Sequence, residues 1–186
     1  YNIVVDESSK KKMLLGNDEP WFQNSGCPII IAAGALEPWK GFSDLIHAIK
    51  YLELQQKVKL LILGDGSLRD ELHNLISSLH LQDSVKLTGF IENPLSYFKE
   101  ADVFVLSSYV EGLPNVLVEA MMAGCTPVST DCPTGPREVL NNGEYGYLSP
   151  MRNPKELANS IKKAIAEPVD LEILDYAILP FSEAAV

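Results

Sequence analysis

Residues 28–64 read PIIIAAGALEPWKGFSDLIHAIKYLELQQKVKLLILG. The run Ile29–Ala33 is apolar at every position and stops at Gly34. Residues 41–54 then carry Phe42, Leu45, Ile46, Ile49 and Leu52 at helical spacing. A second apolar run, Val58–Leu63, stops at Gly64. A short strand without polar alternation must be covered on both faces, and a helix between two such strands is the crossover of a parallel pair. This stretch therefore predicts strand, helix, strand.

The same alternation extends outward. Leu68, Leu72, Leu75, Ile76 and Leu79 mark a second amphipathic helix. Val85–Thr88 reads as a strand closed by Gly89, 93–101 as a short helix opened by Pro94, and Val103–Ser107 as a strand. Residues 114–123 form a helix with Pro at its start and Gly124 just beyond its end, the usual asymmetry of helix termini. Thr126–Ser129 (strand), Pro136–Leu140 (helix), Tyr145–Leu148 (strand) and Asn153–Ala166 (helix, ended by Pro168) complete the series. The prediction is an α/β domain built on a doubly wound parallel sheet. Residues 1–27 are polar and poorly periodic and lead into the domain as a hinge or linker, the domain itself spans 28–168, and 169–186 is a weakly patterned tail. The chain begins with Tyr and is expected to be a piece of a longer protein.

Composition excludes several alternatives. The 186 residues are 46% hydrophobic and 22% charged, a globular balance and not a disordered one. A chain of this length buries about 70% of its unfolded surface, enough for a core without staples. The 15 basic residues face 25 acidic ones, for a net charge of −10 and a pI near 4.7. Nucleic-acid binding leaves a basic footprint, and the only basic run, Lys10–Lys12, reads as a solvated face. The three Cys, 27, 125 and 132, are odd in number and match no zinc spacing, so a reducing compartment is expected and no metal. No run reaches the ~18 apolar residues of a membrane span.

In doubly wound sheets ligands bind beyond the carboxyl ends of the strands, so the strand-to-helix corners are the places to look. At the first, Gly34 ends a strand and Lys40-Gly41 opens a helix; the lysine either neutralises a phosphate there or is a surface residue beside a turn. At the second, Gly64-Asp65-Gly66 allows close backbone approach or forms a tight turn, and it lacks the third glycine of a dinucleotide fingerprint. At the third, Gly89-Phe90-Ile91 is either a ledge of exposed backbone that could hold the edge of a base or a plain loop.

The fourth corner, SSYVEGLPNVLVEAMMAG at 107–124, is the most informative. Its helix is apolar all round and so predicted to be buried, with Glu119 in its middle. A buried carboxylate needs partners: vicinal hydroxyls such as those of a ribose, or a backbone amide or an arginine. Glu111 stands at the mouth of the same helix, Gly112 permits an unusual backbone angle, and the amides of Leu113, Asn115 and Val116 are predicted to form an anion cradle. The sugar, diphosphate and ribose of a nucleotide-sugar match these parts. His47, His73, His80, Cys125, Cys132, Trp39 and Asp102 read as packing or capping residues, while Arg137 and Glu138 follow a Gly-Pro corner near the expected cleft and could contact donor or acceptor.

EGLPNVLVEAM resembles the E-x7-E segment of the retaining glycosyltransferases of family 4, with Glu111 and Glu119 in the two Glu places. GALEPWKGFSDLIHAI, GDGSLRDEL, VKLTGFIENPLSYFKEADVFVLSS and AGCTPVSTDCPTGPREVL resemble the family's other segments in order and spacing, over roughly residues 28–166. The resemblance implies one half of a GT-B fold, the Rossmann-like C-terminal donor-binding domain, with YNIVV at the hinge, the N-terminal acceptor-binding domain absent, and the tail ending before the final crossover helix. It implies that Glu111 contacts the transferred sugar, Glu119 the ribose, Lys40 and the amides of Leu113, Asn115 and Val116 the diphosphate, and Phe90 and Ile91 the base, with Gly34, Gly64 and Gly112 lining the site. It implies a UDP- or GDP-sugar donor, no metal or other cofactor, and transfer of a hexose or N-acetylhexosamine to a hydroxyl with retention, in cell-surface polysaccharide or glycolipid synthesis. The isolated chain is then expected to be inactive, and the protein cytoplasmic, meeting the inner face of the membrane only through the absent half. One position departs from the pattern: where the family has Gly-Arg-Leu, this chain has Gly34-Ala35-Leu36, which removes one of two phosphate cations. That departure keeps open a module that binds nucleotide-sugar without transferring it, epimerase-like or regulatory.

Overall fold

The computed structural model describes residues 4–182; Tyr1–Ile3 of the YNIVV stretch and residues 183–186 of the tail lie outside the described residues. Six strands, β1 (Ile29–Ala33), β2 (Lys59–Leu63), β3 (Val85–Gly89), β4 (Val103–Leu106), β5 (Thr126–Thr130) and β6 (Tyr147–Ser149), form one sheet in the order β3-β2-β1-β4-β5-β6. Every pair in it is parallel. This is the doubly wound, Rossmann-like arrangement that the apolar runs predict. Strand order reverses between β1 and β4, the switch point beside which sheets of this kind bind ligands, in the crevice beyond their carboxyl ends.

Alternate residues of each strand feed two cores. Ile30, Ala32, Leu60, Ile62, Val103 and Val105 face α3 (Phe42–Glu53), α4 (Arg69–Ser78) and α8 (Pro154–Ala166). Ile29, Ile31, Leu61, Leu63, Phe104 and Leu106 face α5 (Leu95–Phe98), α6 (Asn115–Met122), α7 (Pro136–Val139) and α9 (Leu171–Ala177). Each such Val, Leu, Ile or Phe side chain contributes about 2 kcal/mol by leaving water. Local signals set the helix ends: Asn153 caps α8 by accepting from the Glu156 amide, and Pro154 takes the first helical position.

Three segments differ from their sequence expectations. Residues 1–27 contain two short helices, α1 (Glu7–Met13) and α2 (Pro20–Asn24). Neither buries a residue fully, so neither carries an apolar stripe to read. The segment is nonetheless docked: Glu19, buried, accepts from Lys86 Nζ at 2.8 Å, and Trp21 lies beneath the ammonium groups of Lys59 and Lys86 at 4.6 and 5.7 Å. The weakly patterned tail contributes α9, and Val4 and Val5 donate to the Phe181 carbonyl at 2.9 and 3.1 Å. The predicted helix over 93–101 shortens to the four residues Leu95–Phe98, with Pro94 at its N-cap and Lys99 at its C-cap, ahead of β4 at Val103.

Helix α6 is not buried all round. Leu117, Val118, Ala120 and Met121 are buried, whereas Val116, Glu119 and Met122, three residues apart, are only half-buried. Glu119 therefore stands on a partly open face, not inside the core. No helix among the described residues is long and apolar enough to cross a membrane.

Candidate functional site

The chain leaves β1 through residues 34–41 and β4 through residues 107–114, one on each side of the switch point. The two loops are laced together. Ser107 Oγ donates to the Lys40 carbonyl at 2.7 Å, and the Tyr109 amide donates to the Trp39 carbonyl at 2.8 Å. Gly41, with φ at 65°, lets them touch, since a Cβ there would lie 2.1 Å from the Ser107 carbonyl oxygen. This lacing places Lys40 Nζ 2.7 Å from Glu111 Oε1, in a pair whose side chains are only 19% and 12% exposed. Two expected residues from corners 71 positions apart are thus in direct contact.

Glu111 is held by residues that sequence reasoning missed. Ser108 Oγ donates to the same Oε1 at 2.6 Å, and Thr134 Oγ1 donates to the Glu111 backbone carbonyl at 2.5 Å. The Ser-x-x-Glu spacing of 108 and 111 could have revealed the first contact; nothing in the sequence ties position 134 to position 111. Behind the lysine, Tyr109 donates to Asp44 Oδ2 at 2.7 Å and stacks under Arg152 at 4.0 Å. Burial and the Asp44 bond push the Tyr109 hydroxyl up to about 12, so it stays a donor.

The expected base-side residues gather separately. Gly34, Gly64, Phe90 and Ile91, with Ala33, Ala35, Leu63, Asp65 and Pro94, line a hollow of about 360 Å³. Its walls are mainly apolar, and Phe90 is 80% exposed above it. Lys40, Glu111, Gly112, Leu113, Asn115, Val116 and Glu119 do not line it. Lys40 adjoins it nonetheless, because the lysine stem passes within 3.5 Å of where a Gly34 Cβ would sit. The loop walls are cross-tied: Ser67 donates to Glu37 through its amide and its hydroxyl, and the Leu36 amide donates to the Asp65 carbonyl.

The Glu119 carboxylate makes no hydrogen bond or ion pair among the described residues, while its backbone carbonyl accepts from the Ala123 amide inside the helix. Burial raises its carboxyl above the ordinary range, opposed only by the positive charge of Lys12. The Lys12 carbonyl accepts from Asn93 Nδ2 at 2.8 Å, which ties the end of α1 to the residue next to Pro94, a lining residue of the hollow.

Two expectations at the mouth of α6 need correction. The Asn115 amide is not free: it donates to the Leu113 carbonyl at 3.0 Å across an inverse γ-turn at Pro114, whose φ and ψ are −79° and 82°. Proline thus sits one position before the helix, not inside it, and the cradle keeps only the Leu113 and Val116 amides. Gly112 takes no left-handed angle, and a Cβ on it would meet nothing within 4 Å. Elsewhere, Arg137 pairs with Asp131 through Nε at 3.0 Å, His47 Nδ1 lies 2.8 Å from the Ser43 carbonyl oxygen, and Asp102 accepts from the Ile29 amide at 2.7 Å.

The model of the family described as glycosyl transferases group 1 matches residues 17–177. This chain belongs to that family. Among the relatives of this group 1 domain is the N-acetylgalactosamine-N,N'-diacetylbacillosaminyl-diphospho-undecaprenol 4-alpha-N-acetylgalactosaminyltransferase of Campylobacter jejuni. It is 36% identical over 138 residues, 74% of this chain and 37% of that protein. An uncharacterized glycosyltransferase of Methanocaldococcus jannaschii is 44% identical over 113 residues, 60% of this chain and 28% of that protein. The crystal structure of HepE from Anabaena in complex with UDP aligns with a TM-score of 0.79 at 25% identity, covering 98% of this chain and 52% of that one. The group 1 domain described here thus spans about half or less of the length of each of these three proteins.

Proposed function

We propose that this chain is the C-terminal, donor-binding domain of a retaining GT-B glycosyltransferase, with residues 28–168 holding a nucleoside-diphosphate sugar. The carrying observation is Glu119: a half-buried carboxylate without a protein partner among the described residues, on the open face of a helix at the sheet's carboxyl end. Such a group is costly until hydroxyls bond it, and a ribose supplies two. In this reading Phe90 and Ile91 border the base in the hollow. Lys40 and the amides of Leu113 and Val116 face the diphosphate, and Glu111 faces the transferred sugar. HepE binds UDP in its crystal, which supports a uridine donor, with GDP the alternative.

The chemistry is displacement at the anomeric carbon. Its bond to the diphosphate oxygen breaks as a bond to an acceptor hydroxyl forms, and the acceptor proton passes to the departing phosphate on the same face. Lys40 and the helix amides stabilise the negative charge that develops on the leaving group, so the reading needs no metal. The sugar is a hexose or an N-acetylhexosamine. Acceptor recognition belongs to an N-terminal domain beyond this chain, which would also make any contact with the inner face of the membrane. The Campylobacter relative extends a sugar on diphospho-undecaprenol, which supports a lipid-linked or polysaccharide acceptor.

Titration of the ¹⁵N-labelled chain with UDP and GDP is expected to shift resonances at Lys40, Phe90 and 111–119 while transfer stays undetectable. Silence at millimolar concentrations of both nucleotides would end the reading. Ala35 favours a second one, a module that binds nucleotide-sugar and transfers nothing. Since Ala35 lines the hollow beside Gly34, Ala35→Arg is expected to tighten UDP or GDP binding about threefold to tenfold by adding a half-exposed charge near the diphosphate. Unchanged or weaker binding, measured calorimetrically, would mean that the site has no phosphate at that position and would favour the second reading.

A further inference from the structure

We propose that the donor is admitted by ion-pair exchange, and that Ser108 is the positioning residue of that exchange. The diphosphate draws Lys40 away from Glu111, and Ser108 keeps the released carboxylate aimed at the sugar. The inference rests on the donor reading above and assigns what holds its site together before and after binding.

Lys40 Nζ and Ser108 Oγ both donate to Glu111 Oε1, at 2.7 and 2.6 Å. The domain thus pairs the lysine assigned to the phosphate with the carboxylate assigned to the sugar. Both side chains are largely shielded, so neither can be left bare without a replacement partner. A diphosphate brought to Lys40 with Glu111 still attached would crowd two anions around one ammonium. The lysine stem lies over Gly34, at the rim of the hollow, where the glycine offers no side chain against it and the Phe42 ring borders the same spot. Once it moves, Ser108 is the side-chain donor left on Glu111 among the described residues. Ser108 is fixed in its own right, since it is buried and its carbonyl accepts from Thr130 Oγ1. Thr134, in the loop after the neighbouring strand β5, holds the Glu111 backbone.

The consequence is counterintuitive. Removing the charge of the sugar-facing acid should strengthen binding of anything that carries the diphosphate. If Lys40 is free about a tenth of the time, Glu111→Gln tightens binding about tenfold. The probes are inorganic pyrophosphate, UDP and GDP, titrated calorimetrically into the 186-residue chain. Glu111→Gln is expected to gain about tenfold for pyrophosphate and for whichever nucleotide binds, and Lys40→Ala to lose a similar factor. Ser108→Ala is expected to weaken binding about threefold, Ser108→Thr to restore it, and Ser108→Ala to have no effect when Glu111→Gln is already present. If Lys40→Ala weakens binding but Glu111→Gln brings no gain, the exchange fails and the donor reading stands. If Ser108→Ala costs the same in both backgrounds, Ser108 does not act through Glu111. If Lys40→Ala binds every probe as the parent does, the donor reading itself fails.

Discussion

Gly64→Ala is expected to destabilise the domain by about 3 kcal/mol or more, a large share of the 5–15 kcal/mol that holds a typical domain together. Gly64 has φ at 139°, and a Cβ built on it would lie 1.9 Å from the Gly34 carbonyl oxygen and 2.9 Å from the Gly34 carbonyl carbon. No rotamer change relieves a contact with backbone. The backbone has little room to yield, because the Gly34 amide donates to the Leu63 carbonyl at 2.9 Å and the Gly64 amide to the Gly89 carbonyl at 2.8 Å. The carboxyl ends of β1, β2 and β3 are gathered at this one point. Gly112→Ala is the matched control, because a Cβ there meets nothing within 4 Å; it is expected to change stability by less than about 0.5 kcal/mol. Urea unfolding followed by circular dichroism checks both. A Gly64→Ala curve that overlays the parent would show that the corner is loose.

Glu119→Gln is expected to weaken UDP or GDP binding about thirtyfold while leaving inorganic pyrophosphate unaffected, because charge-assisted bonds to ribose hydroxyls are lost and the phosphate contacts remain. The same substitution should stabilise the protein. Burial holds the Glu119 carboxyl above its ordinary range, so between the ordinary and the raised pKa the folded chain binds more protons than the unfolded chain. Stability then falls as pH rises through that window, and the charged carboxylate penalises folding at every pH above it. Glutamine carries no such penalty. The melting temperature of Glu119→Gln should exceed that of the parent at pH 7, by on the order of 2 °C, with the difference fading below the ordinary carboxylate range. Equal loss of nucleotide and pyrophosphate affinity, or a lower melting temperature at pH 7, would remove Glu119 from the ribose role.

The sheet was legible because β1 and the Leu60–Leu63 part of β2 are apolar runs stopped by Gly34 and Gly64, because Val85 and Leu87 lead to a third stop at Gly89, and because Leu45, Ile46, Ile49 and Leu52 keep helical spacing. Helices α1 and α2 escaped because they lie on the surface and are held by contacts between distant parts of the chain, α2 by Glu19, Trp21 and Lys86 and α1 by the bond of Asn93 to the Lys12 carbonyl. At the site, Lys40 and Glu111 could be found as charges at strand-to-helix corners. Their contact could not, since it depends on the laced backbones of residues 39–41 and 107–109. The Asn115 amide was misjudged for a local reason: Pro114 favours a helix start in general, but here it closes a γ-turn that consumes that donor. Glu119 was found from its apolar neighbours, yet helical spacing alone did not show that Val116, Glu119 and Met122 share the half-open side.

The pairing of Val4 and Val5 with Phe181, and the parallel bridge between Val5 and Ser182, bring positions far apart in the chain to one spot. Chain order and architecture are therefore separable here. A circular permutant that joins these positions through a short glycine-rich loop and opens at an exposed turn such as that around Gln55 should rebuild the same layers, giving a reordered scaffold on which the crevice is unchanged.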